Sequence, residues 1–171
     1  MTGRDVRRGS LGPYRMRLRA TIPVRDTLAF LRGRWRVERR LEDHRSGVCG
    51  TFTGDAEFAP TDDPAVLRYA ERGELRFGGH NGPAARALVC IGLPGGAVDV
   101  RFADGREFYR LGLGPGSCQA EHLCGRDRYV VTVRVLSEFL VEEHWHVTGP
   151  RKSYETVTTL RRLGAAGPGL S

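Results

Sequence analysis

Leu31-Arg32-Gly33-Arg34-Trp35-Arg36-Val37 is the stretch on which the reading of this chain turns. Glycine at 33 lets the backbone leave a helical pattern without a Cβ clash, and Trp35 then shares one face of a strand with Val37. A ring of that size belongs at the floor of whatever the strand helps to enclose. Its indole N–H needs an acceptor and its face attracts a guanidinium, so an arginine late in the chain is the expected companion. Arg161, near the end of the last strand, is the candidate.

Beyond Trp35 apolar residues recur with period two, interrupted at short intervals by glycine, proline and aspartate, which is the pattern of consecutive hairpins. It predicts about ten strands, near 34–42, 50–58, 65–73, 85–92, 97–102, 106–111, 118–124, 128–136, 139–147 and 152–162. Asp104-Gly105 between Phe102 and Phe108 is the sharpest hairpin signal. No gap is long enough for a crossover helix, so the pairing is antiparallel. Upstream, Asp26 or Thr27 caps a short helix with Leu28 and Leu31 on one face, and that helix plugs one end. The expected fold is mainly β, a closed antiparallel up-and-down β-barrel of about ten strands with a short N-terminal helix. A two-layer sandwich competes, and the steady hairpin spacing favours closure. The barrel domain is expected over residues 25–164, after a flexible basic arm over 1–24 and before a disordered tail over 165–171.

The order of short helix, Gly-x-Trp and late arginine resembles the calycin superfamily of lipocalin and fatty-acid-binding barrels, which implies a ligand-holding interior. The motifs Gly33-x-Trp35, Asp104-Gly105-Arg106, His122-x-Cys124-x-x-Asp127-x-Tyr129 and Gly149-Pro150-Arg151-Lys152 resemble a bacterial single-domain family of unknown function. That resemblance spans roughly residues 26 to 163 and implies no activity.

The length of 171 residues suits one domain. Of 27 basic residues only Lys152 is a lysine, and the net charge is +7. Such a balance raises nucleic acid or an anionic membrane as a partner, but the arginines are scattered among apolar residues and no aromatic–basic binding motif appears. Neither partner is expected. Cys49, Cys90, Cys118 and Cys124 lack the density of a disulfide scaffold, and no apolar run suits a signal peptide or a membrane span. A cytoplasmic monomer or homodimer with reduced thiols is the expectation.

If Trp35, Val37 and Leu41 face inward, Arg39 is carried in with them. The same alternation turns Phe52 and Phe58, Tyr69 and Glu71, Arg86 and Leu88, Phe102, Tyr129, Glu143 and Trp145 inward. Isolated buried charges cost several kcal/mol each, so Arg39, Glu71, Arg86 and Glu143 form either an ion-pair network or the polar anchor of a ligand. The leading functional reading is a small, partly apolar molecule held between Trp35, Phe52, Tyr69, Phe102, Tyr129 and Trp145 and oriented by Arg39, Glu71, Arg86 and His122.

The segment from Cys118 to Tyr129 concentrates reactive side chains. His122 oriented by Asp127, with Glu71 as a further proton carrier, would make the barrel a cyclase, isomerase or hydratase. The plainer reading is that His122 satisfies a strand neighbour and Asp127 caps a turn. A third reading binds haem or a metal through His122 or His144-x-His146, although the spacing matches no zinc motif and no metal or cofactor is expected. Arg151 and Lys152 either hold an anionic group at the barrel mouth or are solvated hairpin charges. No phosphate-cradling glycine loop, serine-triad motif or dinucleotide fingerprint is present.

Overall fold

The computed structural model describes residues 20–164. Asp26 accepts the Ala29 N–H at 3.0 Å and so caps helix α1 (Thr27–Leu31). The chain then turns through Gly33, whose φ of 115° favours glycine, into strand β1 (Gly33–Asp43). There follow β2 (Val48–Pro60), β3 (Val66–Phe77), β4 (His80–Gly92), β5 (Val98–Phe102) and β6 (Glu107–Leu111). The second half comprises β7 (Ser117–Cys124), β8 (Asp127–Ser137), β9 (Leu140–Thr148) and β10 (Ser153–Arg162).

All pairings are antiparallel and the order is β6-β5-β4-β3-β2-β1-β10-β9-β8-β7. The first and last strands therefore lie side by side in the middle of the sheet, with Val37 opposite Leu160, and the two free edges fall at β6 and β7. Those edges approach without a backbone ladder. The Gly112 N–H donates to Cys118 Sγ at 3.4 Å, and Phe108 on β6 packs against His122 on β7 with ring centroids 5.3 Å apart. The result is a nearly closed ten-stranded barrel with one short helix, as the hairpin pattern predicts, but with a seam closed by side chains.

One glycine pair marks a close approach of two strands. Gly54 lies opposite Gly73, and a Cβ built on Gly54 would stand 2.2 Å from the Arg72 carbonyl oxygen. The two strands therefore approach more closely than any side chain permits, which lets the sheet bend around a narrow interior. Gly54→Ala is expected to lower stability by about 1–3 kcal/mol through this overpacking, measured by urea unfolding. Wild-type stability in that variant would mean the strands separate freely at this point.

One end is stoppered by α1 and the segment before it. The N–H groups of Ile22, Val24 and Thr27 donate to the carbonyls of Val135, Leu113 and Gly96 at 2.9–3.0 Å, while Thr27 Oγ1 accepts the Leu113 N–H. The arm expected over 1–24 falls outside the described residues as far as 19, and its final residues are tied to the barrel. The tail expected over 165–171 lies outside the described residues. The deepest core comprises Trp35, Val37, Val98, Leu113 and Val135, all with no exposure.

Candidate functional site

The floor is built on β1. Trp35 donates its indole N–H to the Leu31 carbonyl at 2.8 Å, which fastens α1 to the strand that follows it. The guanidinium over its face, 4.1 Å from the ring centroid, belongs to Arg162 and corrects the expected Arg161. The reason is strand parity: Thr156, Thr158 and Leu160 are buried on the inner face, so 162 shares that face while Arg161 is exposed opposite Arg36. Arg162 also donates to the carbonyls of Phe30, Arg32 and Glu138, so a single side chain joins helix, first strand and the β8–β9 hairpin.

Above Trp35 lies a cavity of about 50 Å³, room for roughly three or four waters. Its walls are mostly apolar, including Phe58, Leu88, Val100 and Leu160, with Tyr69, Arg86, Tyr109 and Glu143 as polar members. Three of the eight expected ligand residues, Trp35, Tyr69 and Arg86, line it.

Next to the cavity runs a layer of charge. Arg39 grips Glu71 through two hydrogen bonds of 2.8 and 2.7 Å and donates through Nε to Thr158 Oγ1 at 2.9 Å. Glu71 Oε2 also accepts from the Tyr69 hydroxyl at 2.5 Å and faces Arg86 Nη2 at 3.4 Å. The Glu71 side chain is 3% exposed. Burial alone would raise its pKa, but the Arg39 hydrogen bonds, the two guanidinium charges and Tyr69 together bring it from 4.5 down to about 2. Burial pushes the Tyr69 hydroxyl above its ordinary value. Arg39 also lies 5.2 Å over the ring of Phe52, which belongs to this layer.

The remaining expected residues gather in an aromatic cluster beside the seam. Phe108 stacks on Trp145 at 5.1 Å with planes 6° apart, Phe102 lies 4.5 Å from Phe108, and the Trp145 indole donates to Glu143. His122 packs edge-on against Phe102 and Phe108 and tilts toward Tyr129. Asp127 sits at the barrel rim, where Lys152 Nζ binds its carboxylate at 2.7 Å and donates to the Tyr129 hydroxyl at 2.7 Å. These two contacts raise the lysine pKa above its usual range. The carboxylate expected to orient His122 is thus engaged by a lysine, and Glu71, His122 and Asp127 occupy three separate places. Lys152 is likewise committed to Asp127, leaving Arg151 exposed at the mouth.

Phe108 and Tyr109 were invisible to the alternation rule. A register shift between Val100 and Arg101 in the β5–β6 ladder lets consecutive residues, Phe108 and Tyr109, both pack on Trp145. The Phe-Tyr pair straight after the Asp-Gly hairpin is the only signal in the sequence that hints at it.

On the outer surface His44, His144 and His146 surround Glu155, with His146 Nδ1 nearest at 2.9 Å. Among the described residues no three His, Cys, Asp or Glu side chains are arranged to hold a metal. The described cysteines are free, and burial pushes the Cys90 thiol up to about 12. Among the described residues no helix is long and apolar enough to cross a membrane.

Set against known structures, this fold is similar to the S-type phycobiliprotein lyase of Guillardia theta, with a TM-score of 0.59, 10% identity, and coverage of 84% of this chain and 94% of that one. It is also similar to a DUF3598-family protein of unknown function from Nostoc punctiforme, with a TM-score of 0.57 and 12% identity, covering 84% of this chain and 51% of the other. At these identities the similarity is one of fold. No curated protein matches the sequence. The family described as a family of unknown function, DUF6314, matches residues 31–162, and with its Gly-x-Trp strand and its closing Arg162 inside that span, the chain belongs to it.

Proposed function

We propose that this calycin-like barrel binds a small, partly apolar molecule in its lumen, in the cytoplasm. The observation that carries the reading is the pairing of an apolar cavity floored by Trp35 with the buried Glu71 carboxylate and its two arginines at its side. A protein that needed only a stable core would fill that space with hydrocarbon, because replacing buried ion pairs by well-packed apolar residues is commonly neutral or stabilising. The apolar part of the ligand rests on Trp35, Leu88 and Leu160, and its polar part meets Arg86.

The cyclase or isomerase alternative gains nothing from the geometry. A carboxylate with a pKa of about 2 is too weak a base to take a proton near neutrality, and Asp127 is held by Lys152. The test is native mass spectrometry of freshly purified protein, followed by denaturation to release the bound molecule. A reproducible mass excess that disappears on unfolding is expected. Bare protein from several expression hosts, with no response of tryptophan fluorescence to added apolar fragments, would remove the reading.

A further inference from the structure

Two motifs read from the sequence, His122-x-Cys124-x-x-Asp127-x-Tyr129 and Gly149-Pro150-Arg151-Lys152, meet at the rim of the barrel. The β7–β8 and β9–β10 hairpins are locked together there. Asp127 Oδ1 lies 2.0 Å from where a Cβ on Gly149 would stand, so only glycine leaves room for the carboxylate. Lys152 then reaches from the second hairpin to the Asp127 carboxylate and the Tyr129 hydroxyl on the first, each at 2.7 Å. An ammonium group carries three N–H donors, and the protein supplies acceptors for two of them. The Lys152 side chain is 41% exposed, so its third donor is open to the mouth from a nitrogen that two short contacts hold in place.

Charge decides what that donor meets. Lys152 and Asp127 offset each other, as do Arg128 and Glu121 at 2.7 Å on the β7–β8 hairpin. Arg126 and Arg151 stand exposed on the two hairpins, and among the described residues neither has a carboxylate partner. Arg45, on the β1–β2 turn, donates to the Pro150 carbonyl at 2.8 Å and brings a third guanidinium to the same place. The carboxylate of that turn, Asp43, accepts the Arg45 N–H and the Ser46 hydroxyl and so points into the turn itself. This part of the rim carries a positive surplus, which favours an anionic oxygen over a neutral one.

Just inside the rim the surface is apolar. The Tyr129 and His122 rings lie 5.9 Å apart, and His122 packs edge-on against Phe102 and Phe108, both only partly buried. A hydrocarbon chain attached to the anion therefore has rings to follow inward.

We infer that Lys152 and Arg151 form a binding site for the carboxylate head of an amphiphile whose hydrocarbon tail runs inward past His122 and Phe108. The inference goes beyond the binding reading proposed above and stands apart from it, because none of these four residues lines the cavity over Trp35. Either site can fail its own test without the other.

Octanoate, 1-octanol and acetate, each titrated into the full chain and followed by amide chemical shifts in NMR, separate head from tail. Octanoate is expected to bind about tenfold more tightly than 1-octanol at low ionic strength, the usual advantage of a hydrogen bond from a charged donor. It should also bind more tightly than acetate, shift the amides of Tyr129 and Lys152, and weaken as salt is added. Lys152→Met combined with Asp127→Asn removes the ammonium without changing the net charge and should abolish the preference for octanoate over octanol. Arg151→Ala, at an exposed position, should lower octanoate affinity by about threefold and leave octanol within about twofold. Circular dichroism with a thermal melt establishes that both variants fold.

Equal affinity for octanoate and octanol would overturn the inference. A preference for octanoate that survives both variants would place the anion elsewhere on the chain and overturn it as well. Acetate binding as tightly as octanoate would remove the tail, and amide shifts confined to residues around Trp35 would remove the rim.

Discussion

Glu71→Gln is expected to cost about 3–5 kcal/mol of folding stability, the usual penalty for breaking a buried ion pair by removing one partner. The carboxylate is the hub for Arg39, Arg86 and Tyr69, and its loss leaves two guanidinium groups facing each other in the lumen. For a chain of this size the fall in Tm is about 10 °C. Differential scanning calorimetry checks it, and a variant within about 1 kcal/mol of wild type would mean that water enters the lumen freely enough to solvate both arginines.

The pH dependence supplies a second readout of the same group. Its folded pKa of about 2 lies below the ordinary 4.5, so the unfolded chain takes up the proton first as acid is added. The stabilisation is therefore complete above about pH 4.5 and is lost as the pH falls toward about 2. Its size is on the order of 3 kcal/mol. Because protonated glutamic acid and glutamine have the same shape, the stability difference between wild type and Glu71→Gln should shrink across that interval. A difference that stays constant down to pH 2 would show that Glu71 has no special anchorage.

Trp35→Ala is the second large effect, about 3–5 kcal/mol, through the cavity left by a side chain with no exposure. The loss extends past packing. The Leu31 carbonyl loses its indole donor, and Arg162 loses the ring beneath its guanidinium, so α1 and the β8–β9 hairpin are both loosened. Trp35→Phe keeps a ring but not the N–H, and is expected to cost about 1–3 kcal/mol. Urea unfolding measures both, and hydrogen exchange in α1 localises the damage. If the amides of Phe30 and Arg32 remain protected in Trp35→Ala, the helix is held by something other than the tryptophan.

The inner face was legible in the sequence because alternation on β1 is unforgiving: once Trp35 and Val37 are inside, Arg39 must be, and Glu71 and Arg86 follow on their own strands. The same rule, applied from Leu160, identifies Arg162 in place of Arg161. What alternation cannot supply is contact across strands. Arg39 on β1 reaches Glu71 on β3 diagonally across Phe52 and Ala56, a geometry set by glycine-driven bending. Nor can it anticipate a bulge, which is what brings Phe108 and Tyr109 together onto Trp145. Asp127 lies only five positions beyond His122, but the β7–β8 register pairs His122 with Tyr129 and Asp127 with Cys124.

The side-by-side arrangement of β1 and β10 has a consequence for biogenesis. Residues 35–43 cannot acquire their partners at 154–162 until nearly the whole domain has left the ribosome. Contacts of such long sequence separation delay folding and leave the Trp35 ring without its Arg162 cover during synthesis. Pairing of β1 with β10 is therefore expected to be a late step in folding.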